Sequence, residues 1–192
     1  MGWKICGAHS GTARTLMRFE RVEMPGVVLI HAEKSEDARG FFARSFCAEE
    51  FSREELHCVF VQSGISYNLK KGTVRGMHFQ TSPREEPKLI RCTRGAIHDV
   101  LVDLRPNSPT YLNTFEAELT ERNYQLVYAP PGVAHGFQTL ADDTEVFYEL
   151  GEVFSPANSA GLRWNDPAIQ VRFPLPISII SKKDLGFPDY QP

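Results

Sequence analysis

GTVRGMHFQTSPREEPKLIRCTRGAIHDVLVD, residues 72–103, holds an arginine (Arg75), a histidine (His78), a lysine (Lys88) and an aspartate (Asp99). It reads as two strand-like runs joined by a Pro-bearing loop. Successive side chains of a strand point to opposite faces. In the second run Ala96, His98, Val100, Val102 and Leu104 share one face, and Ile97, Asp99, Leu101, Asp103 and Arg105 share the other. Neither face is cleanly apolar, so a strand with one wet side fits poorly. A polar group on an inward face needs a partner or a chemical task.

Outward from this stretch, the alternation predicts strands over 22–32 (broken at Pro25-Gly26), 41–46, 59–67, 114–119, 124–129, 133–140, 144–150 and 169–173. One helix is predicted over 48–56, acidic at its start, with Phe51 and Leu56 as apolar anchors. Residues 174–192 read as a tail lying over the surface. Many short strands separated by Gly/Pro turns predict an all-β jelly roll or small barrel with few helices. The interior of such a barrel is filled by side chains or holds one small ligand. A single helix argues against an alternating β/α architecture. Residues 1–19 are read as an N-terminal extension and 20–192 as one domain that includes the C-terminal tail.

The length of 192 residues fits one domain. The net charge of −3, from 21 Lys+Arg against 24 Asp+Glu, gives no basic field for nucleic acid. Cys6, Cys47, Cys58 and Cys92 lie far apart with no CxxC, which predicts reduced thiols in a cytoplasmic protein. The longest apolar runs are too short to span a bilayer.

The polar residues expected to face inward are Arg39, Gln62, Arg75, His78, Lys88, Asp99, His135, Tyr148 and Asp166. Three chemistries stay open on these residues alone. The first is a metal-dependent cupin with His78, His98 and His135 as ligands. Here HFQ stands where the metal motif has His-x-His. The second is a sugar- or nucleotide-binding jelly roll without chemistry. The third is proton transfer, which needs a base, an orienting carboxylate, a cation for a developing oxyanion and a proton donor on the other face. His78, Asp166, Lys88 and Tyr148 would fill those roles.

The segments DARGFF (37–42), FVQ (60–62), GTVRGMHFQ (72–80), PKLIRCTRGAIHDVLVDLR (87–105), PPGVAHGF (130–137), EVFYE (145–149), GLRWNDP (161–167) and ISKKDL near the end come in a fixed order. In that order and spacing the chain resembles the dTDP-4-dehydrorhamnose 3,5-epimerase family. The resemblance covers roughly residues 20–187. It implies a cupin-like jelly-roll homodimer that uses no metal and no cofactor. The implied substrate is a nucleotide-linked 4-keto-6-deoxyhexose, by default dTDP-4-dehydro-6-deoxy-D-glucose, inverted at C3, C5 or both in deoxysugar biosynthesis. By matching motif, His78 resembles the base, Asp166 its dyad partner, Lys88 the enolate-stabilising cation and Tyr148 the acid. Arg39, Gln62 and Arg75 resemble pyrophosphate contacts, which forked guanidinium groups suit. Phe42 resembles a residue packing on the nucleobase, and Asp99 and His135 line the same pocket in the family.

Two departures bear on function. Phe154 stands where the family has a second tyrosine beside the sugar, which leaves single and double epimerisation both open. Arg44 stands where the family has a glutamate two residues after the base-packing Phe. An arginine cannot accept a hydrogen bond from a base N–H, so thymidine is only the default base. Gly64 replaces a common Asn.

Overall fold

Of the first predicted strand, 22–32, only the part after Pro25-Gly26 is a strand, and a further strand precedes it. Gly26 takes a φ of +79°, a conformation glycine adopts without steric cost, and β1 (Met17–Arg21) folds back antiparallel on β2 (Val28–Ala32). The computed structural model describes residues 17–169 and 171–191. The predicted N-terminal extension lies almost wholly outside the described residues.

A small hairpin follows, β3 (Lys34–Asp37) with β4 (Gly40–Ala43), and then α1 (Ala48–Arg53). Glu49 and Glu50 sit in the first turn of α1, at the positive end of its dipole. The helix stops short of the predicted Leu56 because Glu55 takes a positive φ of 58°. The remaining strands are β5 (Gln62–Asn68), β6 (Thr73–Gln80), β7 (Lys88–Arg94), β8 (Ala96–Asp103), β9 (Thr114–Thr120), β10 (Gln125–Ala129), β11 (Val133–Thr139), β12 (Thr144–Leu150), β13 (Ser159–Gly161) and β14 (Ile179–Ile180), and the short α2 (Lys182–Leu185) closes the order. The run after Pro87, expected as one strand, is two. Gly95, at φ +76°, carries the chain from one sheet to the other.

The strands form two sheets. One has the order β1-β2-β10-β7-β12-β5. The other has the order β13-β6-β11-β8-β9, with β14 added parallel to β6. This is the all-β jelly-roll sandwich that the strand spacing predicts. Ile90, Cys92, Val127 and Val146 of the first sheet meet Ile97, Leu101, Leu119 and Phe137 of the second in a buried layer. Fully burying one such Ile or Leu contributes about 1.5–3 kcal/mol.

The outer faces are covered too. Phe51 of α1 packs with Val28, Ile30, Leu89 and Tyr128 on the back of the first sheet. Leu162, Ile169 and Val171 cover Met77, Val100, Val102 and Ala134 on the back of the second. That is why β8 shows no wet side: Ile97 and Leu101 face the central layer, and Val100 and Val102 face the C-terminal segment. The predicted strand over 169–173 is replaced by β13, earlier in the chain, and by irregular backbone in the described part of 169–173.

Candidate active site

A cavity of about 310 Å³ opens between the sheets at the β12–β5 end. One wall is the second sheet: Arg75, His78 and Gln80 from β6, His135 and Phe137 from β11. The other wall is the first sheet: Gly64 and Ser66 from β5, Lys88 from β7, Tyr148 and Leu150 from β12. Glu86, Phe154 and Lys183 also line it.

Arg75 and His78 are three residues apart, which on a regular strand would send them to opposite faces. The register between β6 and β11 shifts there, from His135 opposite His78 to Phe137 opposite Arg75. The extra residue on β6 returns both side chains to the cavity. Gly76 makes the bulge possible. A Cβ there would stand 2.5 Å from Gly136 Cα, so only two glycines let these strands approach so closely.

The base candidate is His78, and its carboxylate is Asp184: Nε2 to Oδ1 is 2.7 Å. Asp166, expected as the dyad partner, is elsewhere. It is buried in the turn before Pro167, accepts from the Ala168 N–H at 2.8 Å and from the Tyr190 N–H at 2.7 Å, and so staples the end of the chain. Its carboxylate is consumed by backbone donors, the usual fate of a turn aspartate. Asp184 was missed because its segment has no strand period and lies 106 residues from His78. The signal that could have found it is Ser-x-x-Asp in SKKDL, a helix-capping pattern: the Ser181 hydroxyl accepts from Asp184 N–H at 3.0 Å and starts α2. Burial tends to raise the Asp184 pKa, but the hydrogen bond and charge of His78, with lesser bonds from Gly76 and Ser181, hold it below the usual carboxylate value. Phe187 packs edge-on to the His78 ring at 6.0 Å, over Gly161, whose missing Cβ leaves room for it.

A second imidazole–carboxylate pair lies alongside. His135 Nε2 is 2.6 Å from Asp99 Oδ1, both groups buried. The Tyr148 ring stands 5.8 Å from the His135 ring, reaching in from the facing sheet. Burial, reinforced by the charge of Asp99, pushes the Tyr148 phenol well above its ordinary pKa. Lys88 also comes from the first sheet and bridges to the second: its Nζ donates to the His78 carbonyl at 3.0 Å and lies 3.1 Å from Glu86 Oε1. Burial lowers the Lys88 pKa, and the charges of Glu86 and Asp99 work against that.

The remaining predicted residues divide. Arg75 lines the cavity and is tethered to Asn68 Oδ1 at 2.6 Å. Phe154 lines it as well, its backbone N–H held by Gln62 Oε1 at 2.9 Å. Gln62 thus holds Phe154 rather than lining the cavity. Arg39 and Phe42 sit on the β3–β4 hairpin, outside the cavity; the Arg39 side chain is 90% exposed and Phe42 is 65% exposed. Arg44 is tied to Glu50 of α1 at 2.6 Å. His98 does not join the other imidazoles; it pairs with Glu116 at 3.1 Å and packs on Phe173. Among the described residues no group of three His, Cys, Asp or Glu is arranged to hold a metal ion.

A model of the family described as dTDP-4-dehydrorhamnose 3,5-epimerase matches residues 21–191. The chain belongs to this family. It is an isomerase by that membership. The chain is 40% identical over 179 residues to a dTDP-4-dehydrorhamnose 3,5-epimerase of Sinorhizobium fredii, covering 93% of this chain and 92% of that one. It is 31% identical over 169 residues to a dTDP-4-dehydrorhamnose 3-epimerase of Streptomyces niveus, covering 88% and 81%. The fold matches a crystal structure of the Bacillus anthracis 3,5-epimerase with TDP and PPi bound, at a TM-score of 0.87 and 35% identity, over 91% of this chain and 99% of that one. Both double and single epimerases thus stand among the epimerase relatives. No helix among the described residues is long and apolar enough to cross a membrane, and Cys47, Cys58 and Cys92 are free thiols.

Proposed function

We propose that this chain is a cytoplasmic epimerase acting on a dTDP-linked 4-keto-6-deoxyhexose, inverting a carbon next to the ketone by removing a proton from one face and returning one to the other. The observation that carries this reading is that base and acid come from opposite walls: His78 from the second sheet, with Asp184 of α2 bonded to it, and Tyr148 from the first. A ketone at C4 acidifies the hydrogens on C3 and C5. His78 takes one of them, and the imidazolium that forms is stabilised by the Asp184 carboxylate. The electron pair moves onto the C4 oxygen, where the Lys88 ammonium donates to it. One well-aimed donor of this kind is worth about 3–4 kcal/mol. The Tyr148 hydroxyl then gives its proton to the carbon from the far side, the C4 carbonyl re-forms, and solvent resets both side chains. The raised pKa of Tyr148 keeps that proton in place until it is needed.

Arg75 binds the pyrophosphate in this reading. The nucleoside end needs more than the cavity of one chain. The β3–β4 hairpin docks through Phe41 on Tyr124, ring centroids 4.9 Å apart, on the side of the first sheet away from β12 and β5. Phe42 and Arg39, whose guanidinium pairs with Asp37 of the same hairpin, are exposed there and able to serve a neighbour. The opposite edge strand, β5, exposes Ile65 and Tyr67, flanked by exposed Val59, Val61 and Leu69. An unpaired apolar edge of this kind favours association. The protein is accordingly a homodimer of one domain per chain, residues 20–192, in which the hairpin of one protomer completes the nucleotide site of its partner. The test of the chemistry is solvent-deuterium incorporation into the sugar.

A further inference from the structure

Glu86 is a buried carboxylate with no part in the scheme above. It lies two residues before Lys88, in the loop that enters β7, and lines the cavity while only 9% exposed. Its partner is the Lys88 ammonium, 3.1 Å away, and the two side chains are each 8% exposed. Burying two charges is costly, so a pair held this deep needs further hydrogen bonds to be tolerated. Lys88 has one: Nζ donates to the carbonyl of His78, at 3.0 Å.

A lysine ammonium has three N–H donors and no acceptor. One is taken by Glu86 and one by the backbone of the residue that carries the base. With two directions fixed, the third is fixed as well, and Lys88 itself lines the cavity. We infer that Glu86 is the positioning residue for Lys88: it anchors the ammonium so that its third N–H meets the C4 oxygen as charge develops there. The inference rests on the reading of Lys88 as the donor to the enolate.

Glu86 from the loop before β7 and Asp99 from β8 act on the ammonium, which donates to the His78 carbonyl of β6, and Arg75 and His78 from β6, His135 from β11, Tyr148 from β12 and Lys183 from α2 line the same cavity. Burial favours the neutral amine, and Glu86 comes first among the groups that oppose it, ahead of Asp99. With a glutamine at this position the amine gives up its proton at lower pH. A simple packing role for Glu86 would not produce that change.

The experiment compares wild type, Glu86→Gln, Glu86→Asp and Lys88→Met with dTDP-4-dehydro-6-deoxy-D-glucose, reading kcat, KM and the alkaline limb of the kcat profile. Glu86→Gln is expected to lower kcat about 10- to 100-fold, the range for loss of a hydrogen bond to a charged group, with KM nearly unchanged and the alkaline limb moved to lower pH. Glu86→Asp, which keeps the charge but shortens the reach, is expected to lower kcat while the limb stays at the wild-type position. It carries the test if the glutamine variant does not fold. Wild-type kcat and an unmoved limb in the variants, with Lys88→Met inactive, would overturn the role of Glu86 and leave that of Lys88 intact. A Lys88→Met enzyme as fast as wild type would instead overturn the reading of Lys88, and the role of Glu86 with it.

Discussion

His78 and Asp184 are 106 residues apart in sequence, and their side chains meet at 2.7 Å. The contact depends on the last thirty residues or so lying down in one way. β14 adds parallel to β6, Ser181 caps α2, and Phe187 closes over Gly161. Beyond α2 the tail is held by Asp166 on the Tyr190 N–H and by the pair Arg163–Asp189. The carboxylate of the dyad is thus supplied by a segment that has almost no secondary structure of its own.

Asp184→Asn and Asp166→Asn separate the two aspartates. Asp184→Asn removes the charge that stabilises the imidazolium and is expected to cost about 10²–10⁴-fold in kcat, with the fold retained. Asp166→Asn leaves the His78 contact in place and weakens only the tail anchor, so its main effect is expected on thermal stability, with a much smaller loss of kcat. Steady-state kinetics with thermal melts on both variants checks this. Equal losses of kcat would contradict the assignment.

The distinction between Asp184 and Asp166 also marks how far the sequence could be read. The jelly roll was legible because strand alternation and Gly/Pro turns are local signals, and most strands begin within a few residues of where the alternation puts them. His78, Lys88, Tyr148, Arg75 and His135 were legible as inward-facing residues because they sit on those strands, and Phe154 was legible only through the family resemblance. The dyad carboxylate was not, because the choice between two aspartates in Pro-rich irregular chain is made by long-range packing. The β6 bulge at Gly76 was hidden for a related reason: it exists only against Gly136 of β11. Arg44 reads from its position as a base contact, yet the described chain ties it to Glu50.

Tyr148→Phe removes the proton donor and leaves the base untouched. The carbanion should still form and be reprotonated from the side it left. The expected outcome is continued exchange of the C–H with solvent deuterium and loss of inversion, read by mass spectrometry and by NMR of the recovered sugar. Inversion at the wild-type rate would remove Tyr148 from the mechanism.

The hairpin makes a separate forecast. Arg39→Ala and His78→Ala, each nearly inactive at low substrate, are expected to recover part of the wild-type activity when unfolded together and refolded as mixed dimers. One site of a mixed dimer then has both an intact base and an intact arginine from the partner. Absence of recovery, with dimers present by sedimentation, would mean that Arg39 serves its own chain or none.

The central claim is carbanion formation next to the ketone, and solvent-deuterium incorporation tests it most directly. Wild-type enzyme with dTDP-4-dehydro-6-deoxy-D-glucose in deuterated buffer is expected to place deuterium at C3, at C5 or at both, with inversion at each labelled carbon, while His78→Ala places none. The number of labelled carbons reads the extent of epimerisation with Phe154 in place of a tyrosine. A wild-type enzyme that binds the nucleotide sugar yet leaves both carbons unlabelled would contradict the account and leave a sugar-nucleotide-binding jelly roll.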